Sequence, residues 1–105
     1  MLTYRMLLLF FCCKISLFVM GQVVAVPFTH AHNDYLHPRP LQDALAQGFV
    51  SVEADILLSD DHLYVGHNKE DLVTKPLLDL EKVYLQPLFE RYLDNSKSIY
   101  PDYPD

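Results

Sequence analysis

The sequence predicts an α/β domain. Three observations carry that: an extended segment, a short helix and a second extended segment follow one another; glycine sits just after the helix; and carboxylates and imidazoles gather at the ends of the extended segments. The 105 residues suit one domain of modest size and rule out two ordinary ones. They are also too few to close an eight-stranded (β/α) barrel, which typically needs about 250 residues.

Charge and apolar content are unevenly spread. The chain has 14 acidic and 8 basic side chains and a formal charge of −6. Residues 1–25 contain Arg5 and Lys14, both cysteines and all three methionines, and no acid. Met1 to Arg5 gives a positive start, Met6 to Cys13 an unbroken apolar run, and Ile15 to Met20 resumes it after Lys14. With Val23-Val24-Ala25 as a small-residue cleavage point, 1–25 is expected to be a secretory signal peptide, and the product secreted or periplasmic. An uncleaved membrane anchor is the alternative. It is disfavoured by Lys14, because a spanning helix wants about 20 apolar residues and a central lysine is costly there. Cys12 and Cys13 fall in the apolar run, so residues 26–105 contain no cysteine and can form no disulfide. No stable membrane span is expected after cleavage. The acidic excess over 26–105, with Arg39, Lys69, Lys75 and Lys82 scattered among acids, excludes nucleic acid as an expected partner.

The elements follow in order along 26–105. Val24 to His30 is rich in β-branched and aromatic residues and predicts a short strand. His32 to Pro40, punctuated by prolines, predicts a loop. Leu41 to Gln47 predicts a helix, with Leu41, Ala44 and Leu45 at helical spacing and Gly48 placed to end it. Phe49 to Leu57 predicts a strand, with Ser51, Glu53, Asp55 and Leu57 on one face. Ser59 to His62 predicts a turn and Leu63 to His67 another extended segment. Leu77, Leu80, Tyr84 and Leu88 form a helical stripe, so Leu72 to Leu85 predicts a helix. It is expected to break at Gln86, with Pro87 starting a second helix through Leu93. The tail, Tyr100 to Asp105, reads as turn-like connection.

Chemistry concentrates at three places. Glu53-Ala54-Asp55 directs two carboxylates to one strand face, which a hard cation, Mg²⁺ or Ca²⁺, would relieve. A solvated acidic edge strand would account for the same pattern. His32-Asn33-Asp34-Tyr35 follows the first strand, and Gly66-His67 ends the segment after the turn. Imidazoles can give and take protons near neutral pH. His30 lies two residues before His32, which also permits an H-x-H metal pair. His37 and His62 are expected to be surface residues.

Taken together, these motifs resemble the PLC-like phosphodiesterase superfamily, which includes glycerophosphodiester phosphodiesterases. The likeness is strongest to the branch called altered inheritance of mitochondria proteins. It rests on His32-Asn33-Asp34-Tyr35, Arg39-Pro40-Leu41, Asp43-Ala44-Leu45, Gly48-Phe49, Ser51-Val52-Glu53-Ala54-Asp55, Leu63-Tyr64-Val65-Gly66-His67 and Tyr84-Leu85-Gln86-Pro87-Leu88. The resemblance implies the N-terminal part of a (β/α)8 TIM-type barrel over residues 26–105. It implies His32 and His67 as the catalytic imidazoles and Glu53 and Asp55 as ligands of a divalent cation. The implied substrate is a glycerophosphodiester- or phospholipid-like small molecule or lipid. The family's further acidic ligand lies on a later strand, and Glu70, Asp71, Asp79 and Glu81 are expected in a loop or helix start, not in a strand. Asn33-Asp34 also replace the Arg-Gly that usually follows the first histidine of glycerophosphodiesterases. The chain is therefore expected to be a truncated portion of the barrel. Two further readings stand beside this one: an amidohydrolase-like metal hydrolase using His30 and His32, and an inactive, poorly folded gene product.

Overall fold

The computed structural model describes residues 21–103. Residues 1–20 of the expected signal segment, with the adjacent Cys12 and Cys13, lie outside the described residues. Ala25, at the expected cleavage point, is 8% exposed and belongs to the hydrophobic core, so a cut after it would remove one core side chain.

The first half is a parallel βαβ arrangement held by few backbone contacts. Val26 bridges Phe49 and Ala31 bridges Val52, both in parallel sense. Backbone hydrogen bonds run from Val26 N–H to Gly48 C=O (2.8 Å), Ala31 N–H to Ser51 C=O (2.8 Å) and Glu53 N–H to Ala31 C=O (2.9 Å). The two expected strands are thus present as paired extended segments, without a continuous ladder. The interruption has a visible cause: Phe28 takes a positive φ of 64° just after Pro27, which lacks an N–H. The Thr29 hydroxyl spans the gap, donating to Val26 C=O (2.7 Å) and accepting from Val50 N–H (3.2 Å).

The expected first helix is α1, Gln42–Ala46. It closes in a Schellman motif, with Phe49 N–H on Ala44 C=O (3.0 Å) and Gly48 N–H on Leu45 C=O (3.2 Å). Gly48 adopts φ 81°, and a Cβ there would stand 2.3 Å from the Val24 carbonyl oxygen, so glycine is required on both counts.

The second half is an antiparallel three-stranded sheet. Strands β1, Ile56–Ser59, and β2, His62–Val65, form a hairpin in register Ile56 to Val65 through Ser59 to His62. Asp60 and Asp61 both have positive φ (49° and 61°), the two-residue type I′ geometry whose twist suits a tight hairpin. A short helix α2, Asp71–Thr74, follows, and then β3, Leu78–Asp79, pairs with Tyr64 and Val65.

This corrects the helix expected over Leu72 to Leu85. Lys75 is extended (φ −118°, ψ 158°), as the residue before proline prefers, and Pro76 stops α2. Leu77 falls outside any helix, and β2 supplies an edge that recruits Leu78 and Asp79, whereas Leu80 is helical (φ −57°, ψ −43°) and packs with Tyr84 and Leu88 at the core as the stripe predicts. Asp79 is accordingly on a strand, where a loop or helix start was expected. Its carboxylate caps the next turn by accepting from Lys82 N–H (3.1 Å).

The expected break at Gln86 is likewise absent. Glu81–Leu85 is a π-helical turn, with Gln86 N–H on Glu81 C=O, and it runs directly into α3, Gln86–Asp94. Gln86 itself is helical (φ −64°, ψ −49°). The widened turn places Pro87 at the start of α3, where its missing N–H costs little.

The tail is not a free connection. Tyr100 is 2% exposed, and its hydroxyl donates to Phe49 C=O (2.6 Å). Arg91 lies over the Tyr100 ring at 5.2 Å and donates to Ile99 C=O (2.7 Å). Tyr100 joins Tyr35, Leu41, Leu45, Val65 and Tyr84 in a core that touches both halves. The described residues therefore form a small α/β domain. No helix among them is long and apolar enough to cross a membrane.

Candidate functional site

The candidate site lies where the two halves meet. The parallel bridge at Ala31 and Val52 brings the start of the His32 loop beside Glu53, and Asp34 N–H donates to Glu53 C=O (3.0 Å). On the other side, Gly66 N–H donates to Asp55 C=O (3.0 Å), which brings His67 beside Asp55. Local backbone pairing thus gathers residues far apart in sequence.

Glu53 faces two imidazoles. The Nε2 atoms of His30 and His32 approach Glu53 Oε2 at 3.4 and 3.6 Å. His30 is further fixed by a 2.8 Å hydrogen bond between Nδ1 and the Ser51 hydroxyl. His32 has no other side-chain partner among the described residues, and its side chain is 70% exposed.

Asp55 has tighter partners. Its Oδ2 accepts from the Tyr35 hydroxyl and pairs with His67 Nδ1, each at 2.8 Å. The hydrogen bond from His67, then that from Tyr35, holds the Asp55 carboxyl below the usual aspartate range. In return the bond to Asp55 raises His67 above 6.5 and favours the imidazolium. Burial first, and then the bond to Asp55, pushes the Tyr35 phenol up to about 12. With Nδ1 held, His67 presents Nε2 to solvent, the orientation a proton-transfer group needs.

Asp71 supports the His67 backbone. Its Oδ2 accepts from His67 N–H (2.8 Å), while Lys75 Nζ lies 2.7 Å from Oδ1. The hydrogen bond to Lys75, then that from His67 N–H, keeps this carboxyl low. Asp71 is expected from sequence only as a loop or helix-start acid; its spacing of four residues from His67 is the available clue. Tyr35 is the other contributor that sequence reasoning passes over. It sits in the His32-Asn33-Asp34-Tyr35 motif, but its contact with Asp55 depends on the fold. His37 and His62 are exposed, as expected.

Glu53 and Asp55 offer a hard cation suitable atoms. Each carboxylate is 36% exposed, and no described protein group bonds Glu53 Oε1 or Asp55 Oδ1. No cluster of three or more His, Cys, Asp or Glu among the described residues is arranged to hold a metal ion. The donor set therefore fits part of a metal shell, two oxygens, without a third protein ligand in this stretch.

Comparison with known proteins identifies a family. A family model described as the AIM6-like phosphodiesterase domain matches residues 18–101. Altered inheritance of mitochondria protein 6 from Eremothecium gossypii is 46% identical over 61 residues, 56% of this chain and 15% of that protein. A homolog from Arthroderma benhamiae is 40% identical over 72 residues, 63% of this chain and 22% of that protein. The Lachancea thermotolerans protein of the same name is 44% identical over 68 residues, 63% of this chain and 16% of that protein. The chain thus spans between 15% and 22% of the length of these relatives. No solved structure matches significantly.

Proposed function

Because this chain belongs to the AIM6-like phosphodiesterase family, in the PLC-like phosphodiesterase branch, we propose that it contributes the two-histidine portion of a metal-dependent phosphoric diester hydrolase. The substrate class is a glycerophosphodiester- or phospholipid-like molecule, and the fold of the complete enzyme is a TIM-type barrel. The observation that carries this reading is the 2.8 Å pairing of Asp55 with His67 Nδ1, which leaves Nε2 for the substrate, beside an exposed His32 next to Glu53.

His67, favoured in its protonated form, suits the donor that protonates a leaving oxygen. His32 suits the base that takes a proton from the attacking hydroxyl or water. Both are exposed and can reach a phosphodiester that lies across the site. Glu53 Oε1 and Asp55 Oδ1 would hold a Mg²⁺ or Ca²⁺ ion. When bound, the ion supplies positive charge against the phosphate oxygens. Tyr35 keeps Asp55 Oδ2 in place, so Asp55 does not swing away from His67. Secretion, directed by residues 1–25, belongs to the same proposal.

A second reading has one observation in its favour. His30 and His32 direct Nε2 at the same Glu53 oxygen, an arrangement that a metal between them could use. Hydrolysis of bis(4-nitrophenyl) phosphate by the complete barrel that contains this chain, with Mg²⁺ and with chelator, separates the readings. The phosphodiesterase reading expects chelator-sensitive turnover that His32→Ala and His67→Ala each lower by about 10²-fold or more. It expects His30→Ala to change little. Loss of metal binding in His30→Ala, with His67→Ala fully active, would replace it with the H-x-H metal site.

A further inference from the structure

Asp34 stands out as a carboxylate with no exposed surface, and it touches neither substrate-facing histidine nor carboxylate through its side chain. Its Oδ2 accepts from Leu41 N–H and from the Tyr84 hydroxyl, the latter at 2.8 Å, across fifty residues of sequence. Its Oδ1 is buried and has no hydrogen-bond partner. Its main chain is used as well: the N–H donates to Glu53 C=O and the C=O accepts from His37 N–H, each at 3.0 Å. A buried carboxylate with one orphan oxygen is an expensive way to fill space, and an apolar side chain would do that better.

What Asp34 does hold is strained. At the two ends of its loop, Asn33 has the left-handed φ (51°) that asparagine adopts readily, whereas Leu41, fully buried, has φ 62° and ψ −49°, which leucine does not. Such backbone persists only where surrounding contacts over-determine it, and it gathers at functional sites. The Asp34 carboxylate grips the strained Leu41 N–H on one side and the π-helical turn through Tyr84 on the other. Its own N–H grips Glu53, and His32 lies two residues away.

We propose that Asp34, locked by Tyr84, is a positioning residue that sets the His32 loop against Glu53. This rests on the phosphodiesterase reading for its catalytic consequence, and on the structure alone for the clamp. Asp34→Asn keeps an oxygen that can accept both bonds. Asp34→Ala removes both bonds, and Tyr84→Phe removes one.

The complete barrel that contains this chain and its three variants are compared by turnover of bis(4-nitrophenyl) phosphate with Mg²⁺, by thermal melting, and by NMR of the Leu41 amide and the His32 ring. Asp34→Ala is expected to lower kcat about tenfold with KM within about twofold, while Asp34→Asn stays within about twofold of wild type and Tyr84→Phe falls between. The Leu41 amide should exchange about tenfold faster in Asp34→Ala, and the His32 ring signals should move, with both restored in Asp34→Asn. Wild-type kcat in a folded Asp34→Ala overturns the proposal. So does an equal loss in the Asn and Ala variants, or a loss that follows melting temperature alone. If Asp34→Ala does not fold, unchanged Leu41 exchange and His32 signals in Tyr84→Phe overturn it. If wild type cleaves no phosphodiester, the functional reading fails instead, and the exchange and His32 signals alone decide the clamp.

Discussion

Between residues 24 and 53, the parallel contact rests on the bridges from Val26 to Phe49 and from Ala31 to Val52, and the Thr29 side chain fills in between them. Between Ile56 and Val65, by contrast, consecutive residue pairs form an unbroken antiparallel ladder around a tight turn. The first region has positive φ at Phe28, Asn33 and Leu41; the second has it only where the turn type demands it, at Asp60 and Asp61. Both regions supply a catalytic candidate, but by different means. His67 sits just past a regular strand, held by Asp55 and Asp71. His32 sits on a loop whose shape depends on buried contacts from distant residues. Asp55 joins the two, since Oδ2 takes Tyr35 from the first region and His67 from the second.

Substitutions at the scarce contacts of the first region should have the largest effect. Gly48→Ala would force a Cβ to within 2.3 Å of the Val24 carbonyl and place alanine at φ 81°. It should cost about 4 kcal/mol, enough to unfold a marginal domain, as read by chemical denaturation. Leu41→Ala, at a fully buried position, should cost about 3 kcal/mol by the same measurement. Tyr100→Phe removes the bond to Phe49 C=O and should cost about 1 kcal/mol; no change would mean that the tail does not fasten the first region. The hairpin should instead tolerate and even gain from change. Replacing Asp60 with Asn and Asp61 with Gly keeps the type I′ turn with residues better suited to positive φ, and should stabilise by about 0.5 kcal/mol. If that pair destabilised as much as Leu41→Ala, the contrast between the regions would collapse.

The pH dependence of stability reports on the joint. His67 is raised from 6.5 by Asp55, so its contribution is full below about 6.5 and disappears as pH rises through the raised value. Asp55 is lowered from 3.8 by His67 first and Tyr35 second, so its contribution is present above about 3.8 and disappears as pH falls through the lowered value. Melting temperature should therefore gain from this pair between those limits, and Asp55→Asn should flatten the profile there.

What the sequence made legible follows the same division. Local signals survived folding: the turn at Ser59 to His62, α1 with Gly48 beyond it, and the extended segments around them. Helical spacing held at Leu80, Tyr84 and Leu88 but misled from Leu77 to Asp79, because the choice between helix and strand there was made by Pro76 and by the edge of β2. The tail is turn-like, as Pro and Asp around Tyr100 suggest, with Tyr103 N–H on Tyr100 C=O (3.2 Å), but burial of the Tyr100 ring was not legible because it depends on where α1 and α3 lie. In the site, His32, Glu53, Asp55 and His67 could be singled out by residue type and spacing. The contact of Tyr35 with Asp55 and above all the bond from Asp34 to Tyr84 could not, since they exist only once distant segments meet, and Asp71 left only its spacing of four residues from His67 as a clue.

The most direct test is the titration of His67 followed by NMR in the full chain, in Tyr35→Phe and in Asp55→Asn. If Asp55 joins the two regions as described, His67 titrates above 6.5 in wild type, stays raised in Tyr35→Phe and returns to about 6.5 in Asp55→Asn. A His67 that titrates identically in wild type and Asp55→Asn would contradict the pairing on which the candidate site is built.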